Sequence, residues 1–282
     1  MRTMQINYRR FFSLLIALSL GMSFTRVWSD TLPTSITKAL KQARVPLSAV
    51  SFEVHKIDNV PMNPASVMKL VTTFSALDML GPDFTWQTSF YTNGKLSNGV
   101  LQGDLIIHGG GDPKWVLERI EENFKTLQVL GVRHITGDII LDNSVFELSS
   151  KHEADFDGEP MRSYNSTPDG LLVNFKAILL SFTPDEANQR VIIKADIPLA
   201  NVAIDESVPM TNGACGDWRG QLRADFGNPN RISFAGSYSA RCGEKIWPIA
   251  YSDPASYAAR VVKAMYSAVG GRLDGQVRTG TL

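Results

Sequence analysis

Little in this sequence invites metal, redox or nucleic-acid chemistry. Its 282 residues hold four histidines, His55, His108, His134 and His152, and two cysteines, Cys215 and Cys242. None falls at a spacing such as His-x-x-x-His or Cys-x-x-Cys, so neither a metal centre nor a dithiol redox site is indicated. Net charge is missing too: 28 basic residues balance 28 acidic ones, with no Lys/Arg run and no basic stripe interleaved with aromatics. Nothing electrostatic therefore favours a nucleic-acid partner. The glycines Gly109, Gly110 and Gly111 lack the third glycine of Gly-x-Gly-x-x-Gly, which excludes a dinucleotide fingerprint and leaves a strand-ending turn. Internal repeats and low-complexity tracts are absent. A chain that is 44% hydrophobic and 20% charged is globular in composition and long enough for a large core or two domains.

Long hydrophobic runs are also scarce. The one notable apolar stretch, residues 11–24, follows Arg2, Arg9 and Arg10 and is shorter than the ~20 residues of a spanning helix. Val27 and Ser29 fit the small-residue positions of a cleavage site, so residues 1–29 read as an export signal cut after Ser29. No other segment reads as transmembrane, and no stable membrane span is expected after cleavage. Export gives the two cysteines a context, because disulfides persist in oxidising compartments. Cys215 in "NGACGDWRG" and Cys242 in "SARCGEK" are expected to form one structural disulfide, with free buried thiols as the alternative.

What remains is an α/β mixture. Residues 35–44 are short and amphipathic, and residues 48–57 alternate like a strand. Asn63-Pro64 is a turn signal before a helix that starts near Ala65, carries Leu70, Val71, Phe74, Leu77 and Leu80 at helical spacing on a face expected to be buried, and stops at Gly81-Pro82. After Trp86 the character changes. Residues 86–112 predict three short strands joined by Asn-Gly turns, a meander. A helix over 114–132, a strand region over 133–147, many short strands between 165 and 247, and a helix over 255–270 follow.

The chemistry rests on Ser66 and Lys69 in "NPASVMKLVTTFSALDML". A serine hydroxyl needs a base within hydrogen-bond reach, and a lysine amine serves if burial or neighbours depress its pKa. Positions i and i+3 share a helix face, so Ser-x-x-Lys aims the amine at the hydroxyl. A first-turn position adds backbone N–H groups and the positive dipole end. Spacing alone is weak, because Ser35 and Lys38 show it too in an ordinary amphipathic segment. Ser66 differs in standing where a turn enters an apolar helix, the pre-organised kind of position that nucleophiles favour.

"NPASVMKLVTTFSALDMLGPDFTW" resembles the nucleophile segment of the D-alanyl-D-alanine carboxypeptidase/endopeptidase family, the class C low-molecular-mass penicillin-binding proteins typified by penicillin-binding protein 4. The blocks "GDLIIHGGGDP", "GVRHITGDIILDNSVFE", "YNSTPDGLLVNF", "CGDWRG" and "CGEKIWPIAYSDPASYAARV" agree in the same order. The resemblance implies an α+β fold, part of a β-lactamase/transpeptidase-like domain interrupted by a large, mainly β insertion. Residues 30–86 would belong to the catalytic domain and 87–276 to the insertion. The insertion divides into 87–111 plus 248–276 and 112–247, and residues 277–282 return towards the catalytic domain. Ser66 becomes the acyl-enzyme nucleophile and Lys69 the general base. The expected location is the periplasm, with peptidoglycan peptides ending in D-Ala-D-Ala as substrates and β-lactams as inhibitors. Acyl transfer of this kind needs no metal or organic cofactor.

Two further motifs of that family have only imitations. Ser163-Tyr164-Asn165 matches Ser-x-Asn but falls in a block that resembles the insertion. Arg278-Thr279-Gly280 imitates Lys-Thr-Gly but falls in a segment that precedes the family's Ser-x-Asn. Both are expected to be coincidences. The sequence accordingly reads as an N-terminal portion of a longer serine D-Ala-D-Ala carboxypeptidase. The alternative is a non-catalytic peptidoglycan-binding or scaffold protein derived from that family.

Overall fold

The computed structural model describes residues 34–44, 63–147 and 152–282. The export signal expected over 1–29 and the strand expected over 48–57 lie outside these residues. The chain divides into two compact units, Met1–Asp83 and Phe84–Leu282.

In the first unit, helix α1 spans Thr34–Gln42 and helix α2 spans Met68–Leu80, entered through a 3-10 turn at Ala65–Val67. Gly81 ends α2 with φ 83°, and its N–H donates to the Leu77 carbonyl at 3.0 Å. This left-handed C-terminal position suits glycine, and Pro82 blocks continuation. The face expected to be buried is not: Leu70, Val71, Phe74 and Leu77 are 53–72% exposed. Met68, Met79 and Leu80 are exposed as well, so apolar side chains leave α2 in every direction. A helix of that kind needs cover all round.

The second unit begins with β1 (Thr88–Thr92), β2 (Lys95–Ser97), β3 (Val100–Gln102), β4 (Leu105–Gly109), α3 (Leu117–Val129), β5 (His134–Ile135) and β6 (Ile139–Asp142). It continues through β7 (Ala177–Asp185), β8 (Arg190–Ala195), β9 (Ala203–Ile204), β10 (Ser207–Thr211), α4 (Trp218–Leu222), β11 (Ala224–Asp225), β12 (Arg231–Phe234), β13 (Tyr238–Ser239) and β14 (Lys245–Ala250). It closes with α5 (Pro254–Ala268), β15 (Arg272–Leu273) and β16 (Val277–Thr279).

One sheet has the order β1-β4-β6-β16, with β4, β6 and β16 parallel and β1 antiparallel at the edge. Leu105, Ile107, Ile139 and Leu141 on its central strands are at most 3% exposed, the near-continuous apolar pattern of parallel strands. Helices α3 and α5 pack together through Phe124 and Tyr266, whose rings meet edge-on at 5.4 Å. A smaller sheet, β15-β5-β3-β2, includes the β2–β3 hairpin. There Asn98 and Gly99 adopt φ 50° and 81°, the pair of positive values that a tight right-twisted hairpin turn requires.

The expected meander is not what forms. Strand β1 pairs with β4, from Thr88 opposite Gly109 to Thr92 opposite Leu105, and β2 and β3 make a separate hairpin in the other sheet. The other Asn-Gly, Asn93-Gly94, does not turn a hairpin, because the Asn93 side chain is spent on Asp104. Its Oδ1 accepts from the Asp104 N–H at 2.7 Å, and its Nδ2 donates to Oδ2 at 3.0 Å, which clamps the two chain crossings together. Nor do the sheets follow the expected division at 111/112, since β6 lies between β4 and β16. Residues 277–279 are β16 of that sheet.

A five-stranded sheet, β13-β10-β8-β7-β14, and a three-stranded one, β11-β12-β9, complete the unit. Phe182, with no exposed surface, anchors a ring cluster there. Trp218, Phe234, Tyr238 and Trp247 all lie 5.5–6.4 Å from it. Beside that cluster Cys215 and Cys242 are joined by a disulfide, with Cα atoms 4.9 Å apart.

Candidate active site

The structure brings Ser66 and Lys69 together. Lys69 Nζ donates to Ser66 Oγ at 3.2 Å, across one turn at the start of α2. The approach is built locally. Asn63 Oδ1 accepts from the Ala65 N–H at 2.9 Å, the Pro64 carbonyl accepts from the Val67 N–H at 3.0 Å, and Ala65 is held at φ 46°. A positive φ at a residue with a Cβ costs of order 1 kcal/mol, and here it stands directly before the serine. Sequence reasoning identified the turn but had no means of locating that strain, because alanine gives no left-handed signal. Both side chains are exposed, whereas base chemistry by an amine calls for water to be excluded from the pair.

The imitation motifs are occupied in the second unit. Asp157 accepts from Tyr164 Oη at 2.7 Å and from Asn165 Nδ2 at 2.7 Å, and Asn165 Nδ2 also donates to the Glu159 carbonyl at 3.0 Å. The Tyr164 hydroxyl bond leads the interactions that hold the Asp157 carboxyl below its ordinary range. Residues 163–165 thus form a 3-10 turn tied to Asp157 and Glu159. Arg278 Nε donates to Asp138 Oδ2 at 2.6 Å on β16, so its guanidinium is held in an ion pair.

Two further polar groups carried no sequence signal. Asp142, 1% exposed, lies 3.0 Å from His108 Nδ1 and accepts backbone N–H bonds from Ser144 and Leu282. Burial alone would raise its pKa, but those hydrogen bonds outweigh it and hold the carboxyl far below the usual range. Lys176 is 8% exposed and pairs with Asp169 at 2.9 Å.

The fold of this chain is that of penicillin binding protein 4 (dacB) from Haemophilus influenzae: the superposition has a TM-score of 0.60 at 23% identity and covers 78% of this chain and 49% of that one. The same protein complexed with a β-lactam superposes with a TM-score of 0.54 at 22% identity, over 78% and 46% of the two chains. The D-Ala-D-Ala carboxypeptidase 3 (S13) family pattern matches residues 50–282, and the chain belongs to that family.

Among individual relatives, D-alanyl-D-alanine carboxypeptidase DacB of Haemophilus influenzae is 28% identical over 137 residues, 49% of this chain and 28% of that protein. The D-alanyl-D-alanine carboxypeptidase of Actinomadura sp. (strain R39) is 32% identical over 84 residues, 30% of this chain and 16% of that one. The chain therefore matches less than half the length of each of these relatives. Among the described residues no helix is long and apolar enough to cross a membrane.

Proposed function

We propose that this chain carries the nucleophile of a periplasmic serine-type D-Ala-D-Ala carboxypeptidase/endopeptidase that is also acylated by β-lactams. The observation behind this reading is the 3.2 Å contact from Lys69 Nζ to Ser66 Oγ at the mouth of α2, in a chain of the S13 family. Ser66 Oγ attacks the carbonyl of the penultimate D-alanine of a peptidoglycan stem peptide, and its proton passes to Lys69 Nζ, which acts as the base. Lys69 returns that proton to the departing D-alanine nitrogen, and water then hydrolyses the Ser66 ester. A β-lactam offers an acylating carbonyl to the same hydroxyl. The exposed apolar faces of α2 set the condition for this chemistry: they must be covered for the pair to work away from water. The portion of the enzyme described here would be completed by structure that covers them.

The test is release of D-alanine from an N-acylated peptide ending in D-Ala-D-Ala, using protein purified from its own cells. Activity that is lost in Ser66→Ala and in Lys69→Ala supports the reading. Undiminished release in Ser66→Ala overturns it. A protein that binds peptidoglycan fragments without releasing D-alanine would be a scaffold instead.

A further inference from the structure

The geometry points to a binding site for a small zwitterionic amino acid in the second unit, formed by Lys176 and Asp169 at the N-terminus of α5. A cavity of about 310 Å³ lies there, lined by Asn143, Thr167, Asp169, Lys176, Thr279 and Ala255 among others. That volume is at the small end of ligand pockets. The cavity sits at the carboxyl ends of the parallel strands β6 and β16, the place where open parallel sheets bind ligands in general. It owes nothing to Ser66.

The backbone is forced to put a charge there. Asn174, Phe175 and Lys176 are consecutive at φ 39°, 57° and 51°, although none is glycine, and each such residue costs of order 1 kcal/mol. Apolar burial does not repay this, because Phe175 is 47% exposed. What the distortion achieves is to place the Lys176 ammonium, almost wholly buried, at the cavity wall. Two of its three N–H donors have partners, Asp169 Oδ2 at 2.9 Å and Thr167 Oγ1 at 3.3 Å. Asp169 Oδ1 accepts from Asn143 Nδ2 and from the Leu171 N–H, both at 3.0 Å. The pair is therefore fixed from both sides.

Across the cavity, α5 opens with Pro254, which has no N–H; Asp253 caps no backbone N–H of the helix, its Oδ2 accepting instead from the Ser256 hydroxyl at 2.6 Å. Ala255 is the first residue of α5 with an N–H to offer, at the positive end of a fifteen-residue helix. A simple anion entering this site meets the Asp169 carboxylate, and a simple cation meets the Lys176 ammonium. A molecule with both charges on one carbon satisfies both. Its carboxylate takes the third Lys176 donor and the α5 N-terminus, and its ammonium takes Asp169. Leu141, Leu171 and Ala258 leave an apolar remainder suited to a side chain of about alanine size.

Isothermal titration of the full chain with D-alanine, L-alanine and glycine tests this, with acetate and ethylammonium as single-charge controls. At least one of the amino acids is expected to bind at least about tenfold more tightly than either control. Lys176→Met and Asp169→Asn should each weaken that binding by about tenfold or more. Thr279→Val, which leaves the ion pair intact, should weaken it while preserving the unfolding midpoint. Absence of binding by all three amino acids overturns the proposal, as does acetate binding as tightly as they do, or affinity unchanged in all three variants. Acylation of Ser66 by penicillin, followed in the same samples, reports on the other site separately.

Discussion

Reducing the Cys215–Cys242 disulfide should destabilise the second unit by an amount that its loop length sets. The bridge closes a loop with a sequence separation of 27. On the chain-entropy model such a loop contributes about 3.5 kcal/mol, a shift of several hundredfold in the unfolding equilibrium. The loop is not peripheral: it contains α4 and β11 to β13, and three of the rings on Phe182 (Trp218, Phe234 and Tyr238) belong to it. Urea unfolding followed by the fluorescence of Trp218 and Trp247, with and without reductant, measures the effect directly. With a slope of roughly 1–3 kcal/mol/M, the midpoint should fall by about 1–3 M, and a Cys215→Ser/Cys242→Ser double variant should behave like the reduced chain. Equal midpoints for oxidised and reduced protein would refute the reasoning, since the loop would then be just as restricted without its bridge.

Three other outcomes follow from the packing and the buried charge. Phe182→Ala removes a ring that touches four others and should cost about 3–5 kcal/mol, with loss of the near-ultraviolet dichroism of the cluster. Asp142, whose folded pKa is lowered, contributes stability that is present above its unfolded value near 4 and lost as pH falls towards the folded one. Asp142→Asn should accordingly flatten the loss of stability with acid below about pH 4, as acid titration of the unfolding free energy will show. Gly111 has φ 83° and faces the Phe146 ring, so Gly111→Ala should destabilise by more than about 1 kcal/mol in chemical denaturation.

The contact at the centre of the candidate site was readable from residue types. Ser66 and Lys69 declare themselves by spacing and by the Asn63-Pro64 entry, and the contact between them is local, which helical periodicity alone can supply. Helices α3 and α5 carry the same kind of local signal. Long-range choices are different. Nothing near Asn93-Gly94 says that β1 will skip the hairpin and pair with β4, because the deciding bonds come from Asp104, eleven residues away. The left-handed run at 174–176 is hidden for another reason: Phe and Lys carry no preference for positive φ, and only tertiary context holds them there. Helix α2 shows the limit from the opposite side. Its spacing promises a buried face, yet burial depends on what covers it, which local spacing cannot specify.

The most direct test of Ser66 as the acylated nucleophile is to treat intact cells with a penicillin, recover the native protein, and map the adduct by peptide mass. The account predicts one penicilloyl group, on the peptide containing Ser66, absent in Ser66→Ala and retained in Arg278→Ala, where only the Asp138 ion pair is lost. A native, folded protein that stays unlabelled, or an adduct that persists in Ser66→Ala, would contradict it.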